Sequence, residues 1–250
     1  MNTERLKNKA AVVTGGASGI GEAITRRFTA EGAEITLLDT NSEAAVRIAA
    51  ELGGRAIWCD VSQAESVSEA IAALDRVDLL VNCAGIAHIG NVETTTPEDL
   101  DRVYAVNVKG VYHTMHFALP KMLSHGGGVI LNIASVASKI GIPDRFAYSM
   151  SKGAVLTMTL SVARDYIAKN IRCNCLCPAR VHTPFIDGYL AKHYPGREAE
   201  MFQTLSAFQP IGRMGEPCEI AALAAFLCSE EAAFITGSAL DIDGGVTLLR

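Results

Sequence analysis

Tyr148 and Lys152 stand four residues apart in Ala147-Tyr148-Ser149-Met150-Ser151-Lys152. On a helix that spacing puts both side chains on one face, one turn apart. A phenol with a pKa of about 10 is a poor base near neutrality, but a neighbouring ammonium favours its ionised form. The pair could therefore take a proton from an alcohol, and the lysine donors could also grip a ribose hydroxyl. Tyr-x-x-x-Lys alone is equally a surface stripe, and its position in the chain decides between the two. The helix carrying it follows a strand that ends near Ser135, whose hydroxyl can donate to a substrate oxygen and aim it at Tyr148.

A second group of residues suits a nucleotide. Thr14-Gly15-Gly16-Ala17-Ser18-Gly19-Ile20-Gly21 follows an apolar strand and opens a helical stretch. Glycines let such a turn approach a pyrophosphate closely, and the free amides and dipole of the helix start attract its charge. The spacing G-x-x-x-G-x-G departs from the common G-x-G-x-x-G, and a glycine-rich turn also serves plain strand-to-helix packing. Asp39 lies eighteen residues beyond Gly21 at the end of the next strand. A carboxylate there accepts hydrogen bonds from ribose hydroxyls and repels a 2′-phosphate, and neither Ser18 nor Thr40 supplies a compensating cation, so NAD is expected over NADP. The alternative for Asp39 is a helix cap or turn residue.

Arg145, three residues before Tyr148, and Arg180, just past the sixth strand, could both point into a substrate pocket. Two guanidiniums there suit a substrate carboxylate; otherwise they are solvated surface residues. His88 and His182 border the same region and read as ordinary structural histidines.

The elements that must position these groups alternate short β-branched runs with longer amphipathic stretches, the mark of repeated β-α units around a parallel sheet. Strands are expected at 11–13, 34–38, 55–59, 77–81, 129–133, 171–176 and 239–242. Pro97, followed by Glu98 and Asp99, starts a helix leading toward Met122. The expected fold is α/β: a single doubly wound Rossmann-like domain over residues 1–250, with a seven-stranded, mainly parallel sheet and helices on both faces. Asp60, Asn82-Cys83-Ala84-Gly85, Ser135 and Pro178 fall at strand ends, which in an open parallel sheet line one crevice. The segment 183–209, with Pro184, Gly188, Pro195 and Gly196 around short helical pieces, reads as a substrate lid.

Bulk properties fit small-molecule work. The 250 residues are 49% hydrophobic, enough for a sizeable core, and the net charge of -5 comes without a basic run. That argues against nucleic acid and anionic membranes as partners. No segment approaches the ~20 apolar residues of a membrane helix, so a cytoplasmic protein is expected. Of seven cysteines, Cys173, Cys175 and Cys177 alternate along an apolar run and should share one strand face as packed thiols rather than metal ligands.

Taken together, Thr14-Gly15-x-x-x-Gly19-x-Gly21, Asp60, Asn82-x-Ala84-Gly85, Asn107, Ser135, Tyr148-x-x-x-Lys152 and Pro178 resemble the short-chain dehydrogenase/reductase family over essentially the whole chain. The resemblance implies a catalytic set of Asn107, Ser135, Tyr148 and Lys152, with Asn107 holding a water that links Lys152 to solvent. It implies cofactor contacts at Gly15, Ser18, Gly19, Ile20, Gly21, Asp39, Asp60, Val61, Asn82, Ala84, Gly85, Tyr148, Lys152, Pro178, Val181 and Thr183, and substrate contacts at Ser135, Arg145, Tyr148 and Arg180. A homotetramer is implied as well, built from the helices near 108–122 and 152–166 and the last strand, with Leu248-Leu249-Arg250 reaching toward a neighbouring pocket. Two departures stand out: Cys83 replaces the usual second Asn, and Ala179-Arg180 replaces the usual Gly after Pro178. The chain is similar to a branch that includes 3-hydroxybutyrate and 2-keto-3-deoxy-L-fuconate dehydrogenases, and its long polar lid favours the hydroxylated sugar acid. The rivals are a sugar or polyol dehydrogenase, an NADPH-dependent ketoacyl or carbonyl reductase, and a nucleotide-sensing scaffold without catalysis.

Overall fold

The computed structural model describes residues 4–249. Seven strands form one sheet: Ala10–Thr14 (β1), Glu34–Asp39 (β2), Arg55–Trp58 (β3), Leu79–Asn82 (β4), Gly128–Ile133 (β5), Ile171–Pro178 (β6) and Ala239–Ile242 (β7). Their order is β3-β2-β1-β4-β5-β6-β7, and every neighbouring pair is parallel, so the sheet is parallel throughout rather than mainly so. Strand order reverses between β1 and β4, and the crevice outside their carboxyl ends is where an open α/β sheet takes a ligand.

Successive strand residues feed opposite faces of the sheet. Val13, Leu37, Leu131 and Leu176 join a core with helices Gly19–Ala30 (α1), Ser42–Leu52 (α2) and Pro217–Cys228 (α9), centred on Ile24, Phe28, Ile48 and Ile220. Val12, Leu38, Leu80 and Ile130 join the opposite core with Ala64–Ala72 (α3), Gly110–Ser124 (α5) and Phe146–Tyr166 (α6). Each such side chain removed from water contributes about 1.5–3 kcal/mol. Cys173, Cys175 and Cys177 share this second core and are wholly buried, as the alternation along β6 requires.

Helix Pro97–Tyr104 (α4) starts as expected. Thr96 Oγ1 accepts from the Asp99 amide at 3.1 Å, and Pro97 fills the first turn, where no amide donor is needed. It does not run unbroken toward Met122: a π-turn at Ala105–Lys109 separates it from α5, with the Gly110 amide bonded to the Ala105 carbonyl five residues back. The 183–209 segment holds two short helices, Pro184–His193 (α7) and Glu198–Ala207 (α8). Among the described residues no helix is long and apolar enough to cross a membrane.

Candidate active site

The glycine turn lies between the ends of β1 and β4. Gly15 has φ +64° and Gly19 φ +52°, conformations that L side chains resist. Space is equally restrictive: a Cβ on Gly15 would meet Ala84 Cα at 2.8 Å, and one on Gly21 would meet the Gly15 carbonyl oxygen at 2.0 Å. Thr14 Oγ1 accepts from the Cys83 and Ala84 amides, each at 3.1 Å, which locks the 83–85 loop against the turn. Ser18 precedes α1 in extended conformation, yet its side chain makes no capping bond, so the helix start keeps amides uncapped by any side chain. Such a cradle fits a pyrophosphate.

Asp39 ends β2 beside this turn. Its Oδ2 accepts from the Ala17 amide at 3.0 Å and its Oδ1 from the Asn41 amide at 2.9 Å, so each oxygen retains a lone pair for a further donor. The cap of α2 is Asn41, not Asp39, since Asn41 Oδ1 accepts from Ala44. Asp60 Oδ1 accepts from the Ser62 amide and hydroxyl, while Val61 is buried, with its carbonyl 2.9 Å from His113 Nδ1. Ile20 packs on the first core. Asn82 differs from its neighbours in the loop: its side chain turns into the sheet interior, bonding Asn132 at 2.8 Å and Thr114 at 2.6 Å. Only its backbone is left for the crevice. Val181 is buried and bridges to Gly215, and the Thr183 methyl would lie 3.3 Å from a Cβ on Gly19. The start of the 183–209 segment thus faces the glycine turn.

Across the crevice α6 presents Tyr148 half-buried and Lys152 buried. Lys152 Nζ donates to the Ile133 carbonyl at 2.7 Å and lies 5.8 Å from the Tyr148 ring centroid, so the two do face each other. Ser135, buried at the end of β5, accepts from the Ala137 amide at 3.1 Å and donates to the Pro178 carbonyl at 3.5 Å. Asn107 lies within the π-turn, whose extra residue reorients its side chain. Its amide nitrogen donates to the Ile86 carbonyl and to Ser151 Oγ, and its oxygen accepts from the Ile86 amide at 2.8 Å. Ser151 in turn donates to the Tyr148 carbonyl. A Cβ on Gly85 would lie 3.2 Å from Asn107 Oδ1 and 3.6 Å from Lys152 Nζ, so Gly85, Asn107 and Lys152 adjoin. Burial pushes the Cys83 thiol up to about 12 against the opposing pull of Lys152, which leaves it neutral.

Arg145 immediately precedes α6, half-buried, and donates to the Asp144 carbonyl. Arg180 is half-buried with its guanidinium 4.0 Å above the Phe208 ring. Both act electrostatically on one residue of α7, Tyr189. Burial first, then Tyr194, holds the Tyr189 phenol above its ordinary pKa, with the two arginines opposing. Sequence reasoning missed Tyr189, Tyr194, Phe208 and Ser151; the one available signal was the aromatic content of an otherwise polar segment. His182 bonds Asp187 at 2.9 Å and meets the Phe202 ring edge-on, and His88 lies 3.3 Å from Asp99, so both tie loops to helices. Arg250 lies outside the described residues.

A family model described as enoyl-(acyl carrier protein) reductase matches residues 15–247. The chain is 36% identical over 243 residues to 2-keto-3-deoxy-L-fuconate dehydrogenase of Xanthomonas campestris pv. campestris, covering 96% of this chain and 81% of that protein. It is 38% identical over 245 residues to dehydrogenase/reductase SDR family member 6 of Aquarana catesbeiana, covering 98% and 99%. Among solved structures, ligand-free aldohexose dehydrogenase of Thermoplasma acidophilum superposes with a TM-score of 0.90 at 34% identity, covering 98% of this chain and 96% of that one.

Proposed function

The chain belongs to the short-chain dehydrogenase/reductase family, oxidoreductases acting on CH–OH groups, and from that premise we propose that it oxidises a secondary alcohol on a small hydroxy acid with NAD. The observation that carries this reading is the buried Lys152 ammonium 5.8 Å from the Tyr148 ring at the mouth of the crevice.

The glycine turn at 15–21 holds the pyrophosphate, Asp39 takes the adenosine ribose hydroxyls, and Asp60, Val61, Ala84 and Gly85 bound the adenosine side. Pro178, Val181 and Thr183 bound the nicotinamide side. NAD, when bound, supplies the hydride acceptor. Tyr148, as phenolate, takes the substrate hydroxyl proton. Lys152 presents its charge to that phenolate at low dielectric, where a fixed cation counts for more than in water. Ser135 donates to the substrate oxygen and orients it, and Asn107, anchored to Ile86 beside Lys152, holds the water that links Lys152 to solvent for the departing proton.

The acid is held by Arg145 and Arg180. Among the described residues no carboxylate forms an ion pair with Arg145, which leaves its charge for an incoming anion. The 183–209 segment acts as the lid. Its polar surface and the similarity to the Xanthomonas campestris enzyme favour 2-keto-3-deoxy-L-fuconate as substrate. The exposed Tyr112, Met150 and Leu160 of α5 and α6 support assembly as a homotetramer.

The test is Tyr148→Phe, assayed by NAD reduction with 2-keto-3-deoxy-L-fuconate and 3-hydroxybutyrate. Removing the base is expected to lower kcat by about 10²–10⁴-fold, while NAD affinity stays near that of the wild type. Turnover within threefold of wild type overturns the assignment. Equal turnover of uncharged polyols by the unaltered protein overturns the acid.

A further inference from the structure

Gln209 closes the 183–209 segment and is 2% exposed. Its Nε2 donates to the Leu205 and Ser206 carbonyls at 3.1 and 3.3 Å and to the Arg213 carbonyl at 3.4 Å, so the amide ties the end of α8 to the loop that follows. Those three acceptors also fix which way the amide faces, because a turned amide would set its oxygen against three carbonyls. Yet among the described residues no donor reaches Gln209 Oε1, although the atom is buried. A buried acceptor in that position is costly and calls for a donor. Gln209 lines a cavity of about 100 Å³ with Ala179, Ile211, Ile220 and Ile242, and Arg180 borders it too, its guanidinium over the Phe208 ring. Ala179 follows Pro178, whose carbonyl accepts from Ser135 at 3.5 Å, so the cavity begins one residue beyond the partner of the catalytic serine. We infer that this cavity is a substrate subsite in which Gln209 Oε1 accepts a hydroxyl, so that acids carrying a second hydroxyl are selected over those with one. This deepens the sugar-acid reading above and rests on it.

The lining decides what fits. Arg213 is held by both oxygens of Glu219 at 2.7 and 2.8 Å, and Asp243 holds the Gly245 and Thr247 amides at 2.8 and 2.7 Å. The unmet requirement is one donor for Gln209 Oε1, set among the apolar side chains of Ala179, Ile211, Ile220 and Ile242. An ionised carboxylate only accepts and would face that oxygen unfavourably. An ammonium would donate, but beside the guanidiniums of Arg180 and Arg213. A hydroxyl donates without bringing charge. Counting hydroxyls then separates the two candidate acids. 2-Keto-3-deoxy-L-fuconate carries two, of which one is oxidised and the other remains to donate, and its terminal methyl suits the apolar wall. 3-Hydroxybutyrate carries one, which leaves nothing for Gln209. A site whose buried acceptor expects a hydroxyl discriminates against a ligand lacking it.

The experiment titrates NADH-loaded protein with both acids by calorimetry, in wild type and in Gln209→Met, which keeps the length of the side chain and removes the acceptor. Losing one hydrogen bond is expected to weaken 2-keto-3-deoxy-L-fuconate about fivefold, and the ratio of its affinity to that of 3-hydroxybutyrate falls with it. In steady state the variant should raise KM for the sugar acid more than it lowers kcat, as a residue outside the reacting atoms does. A Gln209 that only ties α8 to the next loop would weaken both acids by one factor, so the ratio is a readout that a structural role does not move. Should Gln209→Met fail to fold, Gly215→Ala makes the same test by narrowing the cavity from another wall. A Cβ on Gly215 would meet Val181 Cγ2 at 3.7 Å and the Arg180 carbonyl and Glu219 Oε2 at 3.8 Å, ordinary contacts that the fold accepts. If the ratio stays at the wild-type value in the variant that folds, the inference is overturned, and the sugar-acid reading stands on the preference of the wild type. If the wild type binds 3-hydroxybutyrate as tightly as 2-keto-3-deoxy-L-fuconate, or binds neither, the sugar-acid reading falls and takes the inference with it.

Discussion

Asp39 does two things with one carboxylate. Oδ2 holds the Ala17 amide of the glycine turn and Oδ1 holds the amide of Asn41, so the residue shapes the turn as well as charging its edge. Substitution by Asn separates the two: an amide oxygen can keep one of these bonds, while the negative charge facing a 2′-phosphate disappears. The ratio of kcat/KM for NAD over NADP is expected to fall at least tenfold in Asp39→Asn, about 1.4 kcal/mol of lost discrimination, with steady-state rates on both nucleotides as the measurement. A ratio within twofold of wild type would show that the turn, not the charge, sets the preference. Asp39 was readable in the sequence because its place at a strand end follows from the apolar run Ile35 to Leu38 before it. Asn82 was readable only in part: the strand that ends with it was evident, but not that its side chain turns inward to Asn132 and Thr114. Those partners come from β5 and α5, and no local pattern announces a pairing across 50 residues.

The element that does most to place the site is the π-turn between α4 and α5. Asn107 within it bonds both the donor and the acceptor of Ile86, and this fixes the loop carrying Gly85 beside Lys152. Asn107→Ala leaves a half-buried amide and carbonyl at Ile86 unpaired, two lost hydrogen bonds costing about 2 kcal/mol together. For a chain of this length that lowers Tm by about 4–8 °C. The kcat for alcohol oxidation should fall together with Tm, and Asn107→Asp, which keeps only an acceptor, should recover less than half of the loss. A melting temperature within 1 °C of wild type for Asn107→Ala would remove this residue as an anchor. The sequence showed the helix from Pro97 but not the turn, because one extra residue in a helical ladder leaves the apolar spacing on either side nearly intact. All seven strands were legible for the opposite reason. Runs such as Leu79-Leu80-Val81 and Val129-Ile130-Leu131 are buried on both faces, and few other structures need so unbroken an apolar stretch.

For the molecule as a whole, carboxylates that the fold keeps ionised set its response to acid. Glu31, 4% exposed, accepts from Arg5 and Arg27, each at 2.5 Å, and so joins the N-terminal segment to α1. Burial alone would raise its pKa, but the two guanidiniums outweigh burial and hold it below the ordinary carboxylate value of 4.5. At the start of α9, the Arg213 guanidinium and the Glu216 amide hold Glu219 down at about 2, although this pair is largely exposed and solvent weakens its contribution. A carboxyl whose pKa is lower in the folded chain stabilises it fully above the unfolded value and less as pH falls through the folded value. The urea midpoint should therefore hold level from pH 7 to about 5, then fall steadily toward pH 2. Glu31→Gln separates the sources. It removes a buried charge that accepts from two guanidiniums, of which Arg5 keeps Glu231 and Arg27 reaches solvent, so the midpoint at pH 7 should drop, by a stability loss of about 2 kcal/mol. Its further decline below pH 4.5 should be shallower than that of wild type, because one of the titrating groups is gone. Parallel acid limbs for the two proteins would mean that Glu31 titrates alike folded and unfolded, and that its pairing with Arg5 and Arg27 stabilises the fold by packing rather than by charge.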